Sequence, residues 1–410
     1  MSKQKSNVAL LLLLVLFAEQ FLDPFGVITS MDRTYTLLTY AMFAIVGFFA
    51  FRKGIKKNEG FPYRWYYLLV GSIVFSAVMA HIFHNQGLIV SFSATFGAIL
   101  TYLLLLFLIK LNILREEYMR IIRRFAYIGM ACYVINALAF PAKIIGGIEY
   151  ENVDMSRGIV RIGLPIVLWI VLLFLYSLNQ WILSRNQKSM HCAILCYIFI
   201  ILSVTRQVIL LSTLLGGFML LKEAEWGKRI LVSVVGFFFF FVVVPQIPIY
   251  KTMVNLTEDQ VGQSQEDLPD IRVLGYLYFC DINQVNAYTR VFGNGTPHKS
   301  SKWSQEEALN AEKNKIYDVD VSWAAFYNHY GAVAVIALLA IFLITAKHCY
   351  NCQDRYISYW ILYIIGTAFA SGVIWFQNQI VEILVVIAMA YAPRRINTTP
   401  SLSQLIENGK

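Results

Sequence analysis

The chain has 410 residues, 58% of them hydrophobic and 14% charged, with a net charge of +9 and a mean hydropathy of +0.58. A soluble domain is about one quarter charged, so this chain lacks the polar surface to cover a globule; in lipid only helices or closed barrels satisfy the backbone. Long continuous apolar runs select helices, and basic residues gathered in short loops fit membrane orientation rather than nucleic-acid binding.

The N-terminal Met1-Ser-Lys-Gln-Lys-Ser-Asn7 leads into an apolar run from Val8, followed by Glu19, Gln20 and Asp23. No small-x-small cleavage pattern follows, so an uncleaved first helix is expected. The fold class is all-α, a polytopic membrane protein of about 12 transmembrane helices with one large extracytoplasmic loop. Helices are expected at about 8–22, 35–52, 65–82, 87–109, 125–141, 159–178, 191–204, 207–221, 230–249, 321–346, 358–373 and 376–392. Those at 191–204 and 207–221 are short for a complete span. Lys3 and Lys5, Arg52, Lys53 and Arg64, Lys110, Arg115, Arg120, Arg123 and Arg124, Arg185 and Lys188, Lys222 and Lys228, Lys347 and Arg355, and Arg394 and Arg395 all fall on one side of this arrangement. Both termini are therefore expected in the cytoplasm.

Four parts follow: helices 1–9 over 1–249, an extracytoplasmic (periplasmic) loop domain over 250–320, helices 10–12 over 321–392, and a cytoplasmic tail over 393–410. The loop carries Glu258, Asp259, Glu266, Asp267 and Asp270, and its Ser304 with Glu307 resembles a capping box that starts a short helix. The six cysteines form no disulfide framework; Cys349-x-x-Cys352 lacks the second ligand pair that zinc needs.

Three constellations carry candidate chemistry. Arg157 and Arg161 lie four residues apart, on one helical face, and Arg206 lies between the two short helices. Guanidinium forks bind phosphate oxygens at two points, so these arginines converging would cradle a diphosphate. Arg157 and Arg161 also suit ion pairs with Glu149, Glu151 or Asp154, or snorkelling to headgroups. Next comes Arg290-Val-Phe-Gly-Asn-Gly-Thr-Pro-His298. Gly293 and Gly295 permit a tight turn and close approach to a ligand, Arg290 joins the candidate diphosphate set, and His298 is either a general base or a loop histidine. Last, Asp318-Val-Asp320 precedes Ser-Trp-Ala-Ala-Phe-Tyr-Asn-His329-Tyr-Gly331. The two acids suit helix capping, a base, or a metal; no third hard ligand is placed, so no metal is expected. Trp323, Phe326 and Tyr327 suit a sugar platform or an interfacial belt. No Gly-x-Ser-x-Gly elbow or H-E-x-x-H occurs, which leaves hydrolases and metalloproteases without their machinery.

In this order the features resemble the O-antigen polymerase and O-antigen ligase superfamily. Thr205-Arg206 looks like its Ser/Thr-Arg step, Val291-Phe-Gly-Asn-Gly295 like its Gly-x-Gly turn, and Asp320 with Trp323 and Tyr330-Gly331 like its passage into the next helix. The resemblance implies a C-type membrane glycosyltransferase without cofactor, in the bacterial inner membrane, that takes a glycan from undecaprenyl diphosphate and adds it to an acceptor sugar outside the cytoplasm. Arg206, Arg161, Arg157 and Arg290 would hold the diphosphate, and Asp320 or His298 would act as the base. Ligases carry His-Asn where this chain has Asp320-Val321, which favours a repeat-unit polymerase. A ligase and a lipid-linked oligosaccharide flippase or transporter are the alternatives. The implied partners are the lipid-linked glycan and membrane lipids, with a flippase and a chain-length regulator admissible and nucleic acid excluded.

Overall fold

The computed structural model describes residues 3–19, 21, 32–51, 60–140, 144–145, 166–223, 271–314, 316–351 and 353–394. The helix expected at 230–249, the acids from Glu258 to Asp270, Arg157, Arg161 and Cys352 lie outside the described residues.

Among the described residues the chain is all-helical. Eight helices come first: α1 (Lys3–Ala18), α2 (Asp32–Phe51), α3 (Tyr63–His84), α4 (Leu88–Lys110), α5 (Arg115–Ala139), α6 (Val167–Ser184), α7 (Gln187–Leu202) and α8 (Arg206–Glu223). Then follow α9 (Ile271–Leu277), a π-helical turn (Tyr278–Ile282), α10 (Ala287–Phe292), α11 (Lys302–Asn314) and a 3-10 turn (Asp318–Asp320). Three helices close the described chain: α12 (Ser322–His348), α13 (Arg355–Thr367) and α14 (Gln377–Ala390). Five of these, α3, α4, α5, α6 and α12, are long and apolar enough to cross a membrane, and shorter apolar helices lie in α1, α2, α7 and α14. The chain is thus a membrane protein with at least these helices of spanning length.

Burial follows composition. Helix α6 is apolar on all sides and buries Leu168 through Leu175, as a helix without a polar face must. It packs against α5, α7, α8, α13 and α14. Helix α5 starts ten residues before the apolar segment expected at 125–141. Its first turns are amphipathic: Tyr118, Met119, Ile121 and Ile122 are buried, while Arg120, Arg123 and Arg124 are exposed. Glu116 and Glu117 stand in the first turn, where the helix dipole favours acids.

The break between the two short helices is real. Helix α7 ends at Leu202, Val204 takes a left-handed conformation (φ 52°) and α8 begins at Arg206.

Helix α12 is interrupted at Gly331, whose φ of 80° and ψ of 173° are not helical. A Cβ there would run into the Val291 carbonyl. An interruption of this kind strips carbonyls of their i+4 donors, and in lipid each must find another. Asn328 O accepts from Asn294 N (2.8 Å) and His329 O from Gly295 N (2.9 Å), while Tyr330 O accepts from the Ser72 hydroxyl of α3 (2.9 Å). The Gly-Asn-Gly segment therefore replaces the missing rungs of α12.

Candidate functional site

The site forms where 293–296, the first turns of α12, the 3-10 turn, α11 and the end of α3 meet. Gly293 and Gly295 both have positive φ (85° and 81°). A Cβ on Gly293 would strike the His329 carbonyl, and one on Gly295 would strike the Ser76 carbonyl of α3. Close approach is what these glycines allow; here the partner is the protein's own backbone.

The centre of the site is Asn328, 1% exposed. Its side-chain oxygen accepts from Asn283 (3.2 Å), Gln284 (3.1 Å) and Asn294 (2.8 Å). Asn283 also donates to Glu307 of α11 (2.9 Å). Asn294 accepts from His84 Nε2 (3.2 Å), and the His84 ring lies on Trp303 with centroids 3.8 Å apart. The network pairs the Asn328 oxygen three times over, which holds it in one arrangement, while among the described residues the Gln284 side-chain oxygen stays buried without a partner.

Beside it lies His329, 3% exposed. Its Nδ1 is 2.8 Å from the Gly295 carbonyl. A carbonyl only accepts, so Nδ1 carries the proton. Its Nε2 is 3.4 Å from Asp318, whose side chain is 32% exposed. The tautomer turns the Nε2 lone pair, or its proton, toward a carboxylate that itself reaches solvent. Glu307 is the next acid. Burial raises its carboxyl above the ordinary carboxylate range, opposed by His329 and by the Asn283 hydrogen bond.

A cleft of about 590 Å³ opens against this assembly, lined in part by His84, Gln86, Ser300, Ser301, Trp303 and Glu306. Gln86 ties it together: its amide donates to the Thr296 carbonyl (3.1 Å) and its oxygen accepts from His298 N (2.9 Å).

The sequence-expected residues divide. Gly293 and Gly295 form the floor of the site. His298 holds the turn before α11: its Nδ1 meets Ser300 Oγ (2.7 Å), and its carbonyl accepts from Ser301 Oγ (2.8 Å). The short helix expected near Ser304 is α11, but its cap is Ser301, whose hydroxyl accepts from Ser304 N (3.1 Å), and Glu307 turns to Asn283 instead. Arg290 forms a surface ion pair with Asp281 (2.8 Å). Asp320 closes the 3-10 turn, its N–H donating to Tyr317 O (3.1 Å). His329 meets Asp318 although eleven residues separate them: the chain turns at Val321 (φ −144°, ψ 64°) and lays the 3-10 turn back along α12. Arg206 opens α8, an exposed position. It stands at the same end of the bundle as the site, since Lys222 near the other end of α8 bonds Tyr350, just past the C-terminus of α12.

Sequence reasoning missed the amides of Asn283, Gln284, Asn294 and Asn328, and the pair of His84 with Trp303. The available signal was Asn328-His329 in an apolar run, where polar side chains require partners. Among the described residues no group of three or more His, Cys, Asp or Glu is placed to hold a metal. No family model matches the chain, and no curated protein matches it.

Proposed function

We propose that the chain is a membrane glycosyltransferase that moves oligosaccharide repeat units from undecaprenyl diphosphate onto a growing surface polysaccharide, outside the cytoplasm. The observation that carries this reading is the buried His329 held by Gly295 and facing Asp318 (3.4 Å); a cleft of about 590 Å³ lies on the other side of the amide network, reached through His84 and Asn294. The volume suits a ligand of a few sugar rings, and Ser300, Ser301 and Glu306 in its lining offer hydrogen-bonding groups for sugar hydroxyls.

In this mechanism the acceptor hydroxyl attacks the anomeric carbon, and the bond from that carbon to the diphosphate oxygen breaks. The leaving diphosphate keeps the electron pair. The hydroxyl proton passes to Asp318, the carboxylate that His329 Nε2 faces and orients. Arg206 takes the diphosphate, with Arg161 and Arg157 as its companions, through two-point guanidinium contacts. Arg290 contributes less, since Asp281 already pairs with it. The resemblance puts the base at Asp320; the pairing with His329 favours Asp318.

The test is polymer formed from purified lipid-linked repeat units, with chelator present throughout. Asp318→Asn keeps the shape and removes the base, and is expected to lose about a hundredfold in rate, with Asp320→Asn much less affected. Full activity of Asp318→Asn withdraws the pair as base, and loss confined to Asp320→Asn returns the role to that residue. A strain lacking the protein should keep single capped repeats and lose long chains; loss of every attached repeat would mean ligation instead.

A further inference from the structure

At the opposite end of α12 the bundle carries a second cleft, of about 490 Å³, between the first turns of α5, the end of α6 and the start of α13. The charged residues lining it are four arginines, Arg115, Arg120, Arg123 and Arg394, against two carboxylates, Glu116 and Asp354. His329 and His348 are 19 residues apart on α12, roughly 28 Å at the helical rise, so this cleft and the candidate site face opposite sides of a membrane of ordinary thickness.

The arginines have different duties. Arg115, with only 12% of its side chain exposed, bonds Asp354 and the carbonyls of Met389 and Ala390. Arg394 shares the same Asp354. Those two guanidinium groups and one carboxylate make a fixed floor that retains positive charge. Arg120 holds Glu117 through both carboxylate oxygens (2.7 and 2.6 Å) but is 55% exposed. Arg123 is exposed and lies over the Tyr176 ring, 5.5 Å from its centroid. Arg120 and Arg123 are thus exposed forks at the rim.

Beyond the rim the same helix turns apolar. Tyr127, Val134 and Leu138 are 41%, 41% and 83% exposed, and their spacing of 4, 11 and 15 residues from Arg123 puts them within about 60° of its helical face. From Arg123 to Leu138 is roughly 22 Å along the helix, close to the length of one acyl chain. A basic pocket continuous with an apolar stripe of that length has the chemistry of a phospholipid with a net negative headgroup.

We propose that this cleft binds the phosphate of an anionic glycerophospholipid, with Arg123 and Arg120 clasping the headgroup and an acyl chain lying along Tyr127, Val134 and Leu138. The inference is independent of the reaction proposed above.

The experiment uses the full chain in nanodiscs of equal parts phosphatidylcholine and phosphatidylglycerol, released into the gas phase for native mass spectrometry. The protein is expected to retain phosphatidylglycerol preferentially, and Arg120→Gln/Arg123→Gln to lose about tenfold of that preference. Arg185→Gln/Lys188→Gln, at the same end of the bundle but outside the cleft, should keep it. An equal loss in both variants reduces the effect to diffuse surface charge and overturns the site, as does the absence of any preference in the unmodified chain. A parallel arm measures thermal stabilisation of the detergent-purified protein by inorganic phosphate alone. Stabilisation as large as that given by phosphatidylglycerol, and lost in Arg120→Gln/Arg123→Gln, would make the ligand a soluble phosphate and overturn the lipid assignment.

Discussion

Gly331 shows how much one residue can decide. An ordinary glycine in an apolar helix is a modest cost; this one has φ 80° and no room for a Cβ. Gly331→Ala is expected to destabilise by about 1–3 kcal/mol from the backbone conformation, with a further penalty from the clash at Val291 O. The comparison is Gly71→Ala, in the middle of α3 with nothing within 4 Å of the added methyl, which should be neutral or gain up to about 1 kcal/mol. Thermal unfolding of the two purified variants checks this, and equal Tm values would mean the break in α12 is not present. At this scale the sequence was partly legible. Gly293 and Gly295 announce a turn, but Gly331 does not: Tyr330-Gly331-Ala reads as uninterrupted helix, and the break exists because Asn294 and Gly295, 34 residues earlier, take over the carbonyls of Asn328 and His329.

Among the elements, α11 links a surface helix to the buried site through one acid. Its Glu307 carboxyl is raised by burial and accepts from Asn283. A carboxyl whose folded pKa lies above its unfolded value contributes fully below the unfolded value, near 4.5, and its contribution is lost as pH rises through the folded value. Glu307→Gln retains an oxygen for Asn283 and cannot ionise. The variant should therefore match the parent in acid and become the more stable of the two as pH rises to neutral, a divergence visible in Tm measured across that range. A constant difference at all pH values would show that Glu307 is not strained by burial. The existence of α11 was readable from its serine and acidic residues, and its cap missed by three positions because Glu307, which makes Ser304 look like a capping box, turns to Asn283 while Ser301 accepts from Ser304 N. The fold-back of Asp318 onto His329 was not readable at all. Eleven residues across a helix start imply separation, and only the turn at Val321, with the 3-10 turn packed on α12, reverses it.

The whole molecule places two unlike chemistries at the ends of one long helix. Amides, an imidazole and carboxylates gather at the N-terminal end of α12, and arginines gather at its C-terminal end. Hydropathy and loop charge were enough to see the apolar helices and this asymmetry, because both are summed over many residues and do not depend on which side chains meet. Basic residues within reach of helix ends stay on the cytoplasmic side, so the arginine cleft should face the cytoplasm and the Asn328–His329 site should face outward. The free cysteines, Cys280 among them, must be replaced before reporters are introduced. In that background Ser300→Cys, exposed beside the polar cleft, should react with a membrane-impermeant maleimide on intact spheroplasts. Lys188→Cys, exposed at the start of α7, should react only after permeabilisation. The reverse pattern would invert the protein and remove the site from the compartment where the proposed acceptor is extended. Labelling of both positions on intact cells would contradict a bilayer between them. Since the proposed reaction needs its donor and acceptor together on the outward face, this single pair of positions tests the frame on which the chemistry rests.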